Sequence, residues 1–108
     1  MAELDKKEIE RIRKLLFPVF QESKIKRAYL FGSLSKGTAT RRSDIDLMIE
    51  TETQKRFFNR YDDFEKIQRI LSDRSVDMLI YTTDELSKIS HRTFIRRILE
   101  EGVILFER

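Results

Sequence analysis

Two aspartates separated by one residue carry the clearest chemical signal in the chain. Asp44 and Asp46 flank Ile45 at the start of an apolar run that predicts a strand. Because residues two apart on a strand point to the same face, both carboxylates would project side by side, with Cα atoms about 6.5–7 Å apart. Aligned carboxylates suit Mg²⁺, which proteins hold with one or two carboxylates together with water and substrate phosphates. The pair therefore predicts a magnesium site for chemistry at phosphorus.

Asp77 is the candidate third metal ligand. It lies near the start of a second apolar stretch, Val76 to Tyr81, that also predicts a strand. Two ions about 3.5–4 Å apart can stabilise both the attacking and the leaving oxygen of an in-line displacement. A third carboxylate beside the first two would complete the set of protein ligands for such a pair of ions.

A glycine and a serine supply the other half of the predicted site. Gly32 and Ser33 end an apolar stretch, and a glycine lets backbone N–H groups approach a phosphate closely while a serine hydroxyl donates to it. The same loop carries Lys36, Arg41 and Arg42. These three side chains either contact polyphosphate or simply stay solvated.

The elements around these residues predict one α/β domain spanning residues 1–108. Apolar periodicity predicts helices from Asp5 to about Ser23, from about Thr53 to Leu71, and after a cap at Thr83 or Asp84, the last in one or two pieces before Gly102. Strands are predicted over residues 25–31, 44–49, 76–81 and 103–106. Pro18 predicts a kink or a break of the first helix near Phe17.

Topology decides where the candidate residues meet. The helix between the second and third strands is long enough for a right-handed crossover, which would make those strands parallel. Asp44, Asp46 and Asp77 would then gather at one edge of the sheet. A first strand antiparallel to the second would deliver Gly32 and Ser33 to the same edge.

Composition excludes several other classes of site. The 108 residues include no Cys and one His, which excludes a disulfide framework, a thiol nucleophile and a multi-histidine metal site. The net charge of +3, from 22 Lys and Arg against 19 Asp and Glu, is too balanced to indicate a nucleic-acid partner. No apolar run approaches the length of about 18 residues that a membrane span requires. We therefore expect a cytoplasmic protein without a membrane or nucleic-acid partner.

The motif as a whole resembles the minimal nucleotidyltransferases of the DNA polymerase β superfamily. The resemblance rests on Gly32-Ser33, Gly37 four residues later, and Ser43-Asp44-Ile45-Asp46-Leu47. The lead-in from Lys26 to Phe31, the strand around Asp77 and the ending from Ile98 to Phe106 are similar as well.

This resemblance implies a mixed sheet of about four strands flanked by helices. It also implies transfer of a nucleoside monophosphate, most simply AMP from ATP, with two Mg²⁺ ions. Asp44, Asp46 and Asp77 would hold the metal, Asp77 would also help to activate the acceptor hydroxyl, and Gly32 and Ser33 would bind the outgoing phosphates. Small members of the family often pair with a HEPN-domain toxin as its antitoxin, and some transfer AMP to it.

The sequence is compatible with several alternatives. The domain could be a non-catalytic antitoxin that neutralises its partner by occlusion, a transferase acting on nucleic acid, or part of a homo- or hetero-oligomer. His91 and the arginines at 92, 96 and 97 are interpreted as surface residues. The aromatic stripe of Phe57, Phe58, Tyr61 and Phe64 predicts either core or a partner surface.

Overall fold

The structure is a computed structural model that describes residues 3–32, 44–53 and 65–108. These residues form helices α1 (Glu3–Glu22), α2 (Glu65–Ile70), α3 (Thr83–Ile89) and α4 (Thr93–Glu101), and strands β1 (Ile25–Phe31), β2 (Ile45–Thr51), β3 (Val76–Thr82) and β4 (Val103–Glu107). The four predicted strands are confirmed, within one or two residues at their ends. The predicted aromatic stripe and the helix before residue 65 lie outside the described residues.

The strands form one mixed sheet in the order β3-β2-β1-β4. β2 and β3 are parallel, whereas β1 is antiparallel to both β2 and β4. This arrangement confirms the α/β fold and the predicted crossover between β2 and β3. It places the two strands that carry the aspartates next to each other, with β1 on the far side of β2.

The core has two layers, because successive side chains of each strand point to opposite faces of the sheet. One face of the sheet packs against α1 and α2, through fully buried residues that include Ile12, Leu16, Phe20, Leu30, Leu47, Ile49 and Ile67. The other face packs against α3 and α4, through Tyr29, Met48, Leu86, Ile95 and Ile98. Asp46 and Asp77 belong to this second face, since they lie two residues before Met48 and Leu79.

Helix α1 runs through Pro18 to Glu22, so the chain does not break near Phe17. Proline in a helix interior costs about 3 kcal/mol through its missing N–H and its steric clash. Leu16 and Phe20 on either side of it are fully buried against the sheet, and burying such a side chain contributes about 1.5–3 kcal/mol. Packing of the buried face therefore outweighs the cost of the proline.

The last helical region is two helices, and its first cap lies one residue earlier than predicted. The Thr82 hydroxyl accepts from the Glu85 N–H while the Glu85 carboxylate accepts from the Thr82 N–H, which is a capping box. Gly102 follows α4 in an extended conformation. A Cβ at Gly102 would lie 2.5 Å from the Ile98 carbonyl oxygen and 3.2 Å from that of Leu30, so the glycine is needed for close backbone packing.

The C-terminal end of α1 is satisfied from a distant part of the chain. The Arg108 guanidinium donates to the carbonyl oxygens of Phe20, Gln21, Ser23 and Ile25 at 3.1–3.3 Å. The last turn of α1 contains no basic residue of its own. Arg108 therefore supplies both the hydrogen bonds and the positive charge that a helix C-terminus favours.

Replacing Arg108 with alanine is expected to lower the free energy of unfolding by about 1–2 kcal/mol, because hydrogen bonds from a charged donor are lost together. Chemical denaturation measures this change. Arg69→Ala is the control, since Arg69 is 70% exposed and pairs with Glu65 one turn away; it should change stability by at most about 0.5 kcal/mol. Equal effects of the two variants would contradict a special role for Arg108.

In the described part of the chain, no helix is long and apolar enough to span a bilayer.

Candidate active site

Asp46 and Asp77 face each other across neighbouring strands. In the parallel register of β2 and β3, Asp46 is the partner of Asp77, and adjacent strands lie about 4.8 Å apart. The two carboxylates therefore project side by side from the sheet face that α3 and α4 cover. Of the three aspartates that the topology predicts to gather at this edge, the strand register pairs Asp46 with Asp77 directly.

The third aspartate lies just before the strand. β2 begins at Ile45, so Asp44 precedes the regular ladder, and its side chain is exposed. Its charge nevertheless acts on Asp46. Burial, the Asp77 carboxylate and the Asp44 carboxylate, in that order, raise the pKa of Asp46 above its ordinary value. Three negative groups thus interact at one point of the sheet edge.

Gly32 approaches Asp46 from the other side. Phe31, the last residue of β1, is the cross-strand partner of Asp46, and Gly32 follows it with a φ of 78°, in the left-handed region that favours glycine. A Cβ at position 32 would lie 2.2 Å from Asp46 Oδ2. Gly32 is therefore required both by its backbone conformation and by the space that the carboxylate occupies. Ser33, the other predicted phosphate ligand, lies outside the described residues.

Two cavities open on either side of Asp46. The first, of about 490 Å³, lies on the Asp77 side and is also lined by Leu79. The second, of about 330 Å³, lies on the Gly32 side and is closed by α4. Phe31 and Phe94 line both cavities, so they stand where the two meet.

Sequence reasoning did not assign Phe94 to the site. Together with Arg97, Ile98 and Glu101, Phe94 forms a helical stripe at steps of three and four residues that lines the second cavity. No local signal separated Phe94 from the core, because the apolar stripe of an amphipathic helix often includes adjacent residues such as Phe94 and Ile95. The structure buries Ile95 and exposes Phe94.

The donor set fits Mg²⁺ with substrate as part of the coordination shell. In residues 3–32, 44–53 and 65–108, no group of three or more His, Cys, Asp or Glu side chains is arranged to hold a metal ion. Mg²⁺, however, is commonly held by one or two carboxylates, with phosphates and water completing its shell. Asp46 and Asp77 are such a carboxylate pair, and their mutual repulsion favours a cation between them.

Burial of the Asp46 carboxylate, together with its repulsion by Asp77 and Asp44, predicts a stability effect in metal-free protein. Because the folded-state pKa of Asp46 is raised, its ionised form destabilises the fold, and the penalty disappears as the pH falls through that pKa. Asp46→Asn is therefore expected to raise the free energy of unfolding by about 0.5–1 kcal/mol at pH 7 in EDTA. The advantage should shrink toward pH 4. Denaturation curves at both pH values test this, and a variant less stable than the wild type at pH 7 would contradict it.

The sequence matches the polymerase beta nucleotidyltransferase family over residues 14–108. Comparison with curated proteins gives no significant match.

Solved structures give similar folds. A chain of a toxin–antitoxin complex with AMP-PNP is 25% identical, with 89% of this chain and 73% of that one covered and a TM-score of 0.64. A mutant of the MntA–HpeT toxin–antitoxin gives 27% identity, coverage of 92% and 72%, and a TM-score of 0.57. A chain of the complex between tri-AMPylated Shewanella oneidensis HEPN toxin and MNT antitoxin is 23% identical, with coverage of 96% and 73% and a TM-score of 0.54.

Proposed function

Since this chain belongs to the polymerase β nucleotidyltransferase family, we propose that it transfers AMP from ATP to a hydroxyl group of a protein partner. The observation that carries the proposal is the position of Asp46 between Asp77, its partner on β3, and Gly32, which follows the end of β1. An in-line displacement needs an attacking group and a leaving group on opposite sides of the phosphorus. In this arrangement the acceptor would lie on the side of Asp77, the central carboxylate is Asp46, and the departing phosphates would lie on the side of Gly32.

Each of these residues has a distinct role in the proposed reaction. Asp77, exposed at the edge of the larger cavity, accepts the proton of the incoming hydroxyl. The hydroxyl oxygen forms a bond to the α-phosphorus of ATP, and the bond from that phosphorus to pyrophosphate breaks. Gly32, with no side chain to block approach, lets the backbone receive the departing phosphates, and Ser33 is proposed to assist.

Asp44, Asp46 and Asp77 are the residues proposed to hold Mg²⁺. When bound, the metal neutralises phosphate charge and stabilises the attacking and leaving oxygens. The repulsion among these carboxylates supports this role, because a site that concentrates negative charge without a cation is unfavourable. We propose that two Mg²⁺ ions bind, because a pair of ions can stabilise the attacking oxygen and the leaving oxygen together.

A HEPN-domain toxin is the proposed partner. The similar chain in the complex with AMP-PNP belongs to a toxin–antitoxin pair, and the Shewanella oneidensis complex contains an AMPylated HEPN toxin. Antitoxin activity, assembly with that partner and a cytoplasmic location are parts of the same proposal.

Labelling in a lysate of the source organism tests the proposal. The protein is incubated with Mg²⁺ and α-labelled ATP, beside the variant Asp44→Ala/Asp46→Ala and beside Asp84→Ala, which removes an exposed carboxylate from α3. We expect a protease-sensitive labelled band with the wild type and with Asp84→Ala only. A protein that co-purifies with the wild type but is labelled by none of the four NTPs would indicate neutralisation by occlusion. A nuclease-sensitive product would indicate a nucleic-acid acceptor.

A further inference from the structure

Phe94 is the site residue that the proposed catalytic roles leave unexplained. Its side chain is 57% exposed, the largest fraction among the large hydrophobic side chains of the described residues, whereas Ile95 and Ile98 of the same helix are buried. Burying a phenylalanine side chain contributes about 1.5–3 kcal/mol. An aromatic ring left in solvent at the mouth of a cavity that also contains charged side chains therefore points to a ligand that covers it.

The ring is held in place next to the reacting centre. Phe94 meets Phe31 edge to face, with ring centroids 5.7 Å apart and planes at 86°. Phe31 is in turn the cross-strand partner of Asp46. Because the rings are perpendicular, this contact occupies at most one face of Phe94, and its exposure leaves another face open to a planar ligand.

The cavity beside this ring has suitable size and chemistry. Gly32, Asp46 and Phe94 line the same space of about 330 Å³, at the lower end of the range of about 300–1,000 Å³ for small-molecule sites. Arg97 and Glu101, on successive turns of α4, add a hydrogen-bond donor and an acceptor to its wall. A nucleobase needs both a surface for stacking and polar groups at its edge.

The proposed reaction fixes which end of the nucleotide enters this cavity. With the α-phosphorus beside Asp46, the departing phosphates against Gly32 and the acceptor on the Asp77 side, α4 is the wall that the described residues leave for the nucleoside. We infer that Phe94 is the residue on which the base of the bound nucleotide stacks, in the cavity between α4 and Asp46. This inference rests on the proposed function and adds a binding residue to it.

The absence of tryptophan from the sequence makes a direct test possible. Phe94→Trp introduces a single tryptophan, and its fluorescence reports stacking without any turnover. Titration with ATP and Mg²⁺ is expected to quench this fluorescence. Tripolyphosphate, which has no base, is expected to compete with ATP for the site but to cause little quenching of its own. Equal quenching by the two ligands would overturn the inference.

Binding to alanine and tyrosine variants gives the second measurement. Loss of an aromatic–base stack corresponds to about a 10- to 100-fold weaker Kd. Phe94→Ala should weaken ATP binding by this factor and leave tripolyphosphate binding unchanged, whereas Phe94→Tyr should retain the affinity for ATP. Phe17→Ala is the matched control, because Phe17 is 47% exposed on α1, which covers the opposite face of the sheet.

The results distinguish this inference from the function on which it rests. If the wild type binds ATP and Phe94→Ala binds it equally well, the stacking role is wrong and the proposed reaction stands. If equilibrium dialysis shows no ATP binding to the wild type with Mg²⁺, the proposed function itself fails and the inference fails with it. Quenching of Phe94→Trp by the acceptor protein alone, with none by ATP, would overturn the inference by assigning the ring to the acceptor.

Discussion

Replacing Asp46 with asparagine is expected to lower nucleotidyl transfer by at least about 1,000-fold while the domain stays folded. Asparagine keeps the shape of the side chain but removes the negative charge that lies between Asp77 and Gly32. Metal-assisted stabilisation of a phosphoryl transition state contributes several kcal/mol, and each 1.36 kcal/mol corresponds to a factor of about ten in rate. Initial rates of label incorporation measure the loss.

Asp84→Asn is the matched control for this substitution. It also neutralises one aspartate, but that side chain is 77% exposed on α3 and pairs with Lys88 one turn away. We expect its rate to stay within about twofold of the wild type, in line with the small effect of exposed ion pairs. Because Asp46→Asn is expected to be the more stable protein in EDTA, unfolding cannot account for its loss. Retention of more than a tenth of the activity would contradict the central role of Asp46.

Gly32→Ala is expected to lower transfer by about 100-fold through displacement of the neighbouring carboxylate. The added Cβ would come within 2.2 Å of Asp46 Oδ2, so the carboxylate must rotate away from its position. Misplacing a reacting group by about 1 Å can cost 100-fold in rate. The left-handed φ of 78° adds a modest loss of stability, of about 1–2 kcal/mol. Rates and denaturation curves of the same preparation measure the two effects.

Gly102→Ala separates a catalytic glycine from a structural one. Its Cβ would collide with backbone carbonyl oxygens of Ile98 and Leu30, which cannot rotate away as a carboxylate can. We expect a loss of stability of about 1–3 kcal/mol, with a much smaller loss of rate in the protein that remains folded. If the two glycine variants showed the same ratio of rate loss to stability loss, the special position of Gly32 beside Asp46 would be refuted.

The sequence was sufficient to predict the sheet and the meeting of two aspartates. Alternating and apolar runs marked the strands, and the segment between β2 and β3 was long enough for a crossover, which brings Asp46 beside Asp77. These predictions rest on local periodicity and on topology rules that hold for most α/β proteins. The close approach of Gly32 to Asp46 depends on the register of β1 with β2, which the pattern of residue types does not specify.

Other features depended on packing that no local pattern contains. Pro18 predicted an interruption of α1, yet burial of Leu16 and Phe20 keeps the helix continuous. The sequence pattern predicted Phe94 as a core residue of an amphipathic helix. The position of α4 on the sheet instead places it in the lining of the cavity beside Asp46. In both cases the tertiary contacts of a helix decided the outcome, and its intrinsic preferences did not.

The hydrogen bonds of Arg108 have a consequence for the order in which the domain folds. The guanidinium closes the end of α1 across a separation of up to 88 residues, so this cap forms only after β4 has joined the sheet beside β1. Contacts between such distant residues carry a large loop-closure entropy and tend to form late. The last turn of α1 should therefore be among the last parts of the chain to gain protection in pulsed hydrogen exchange during refolding.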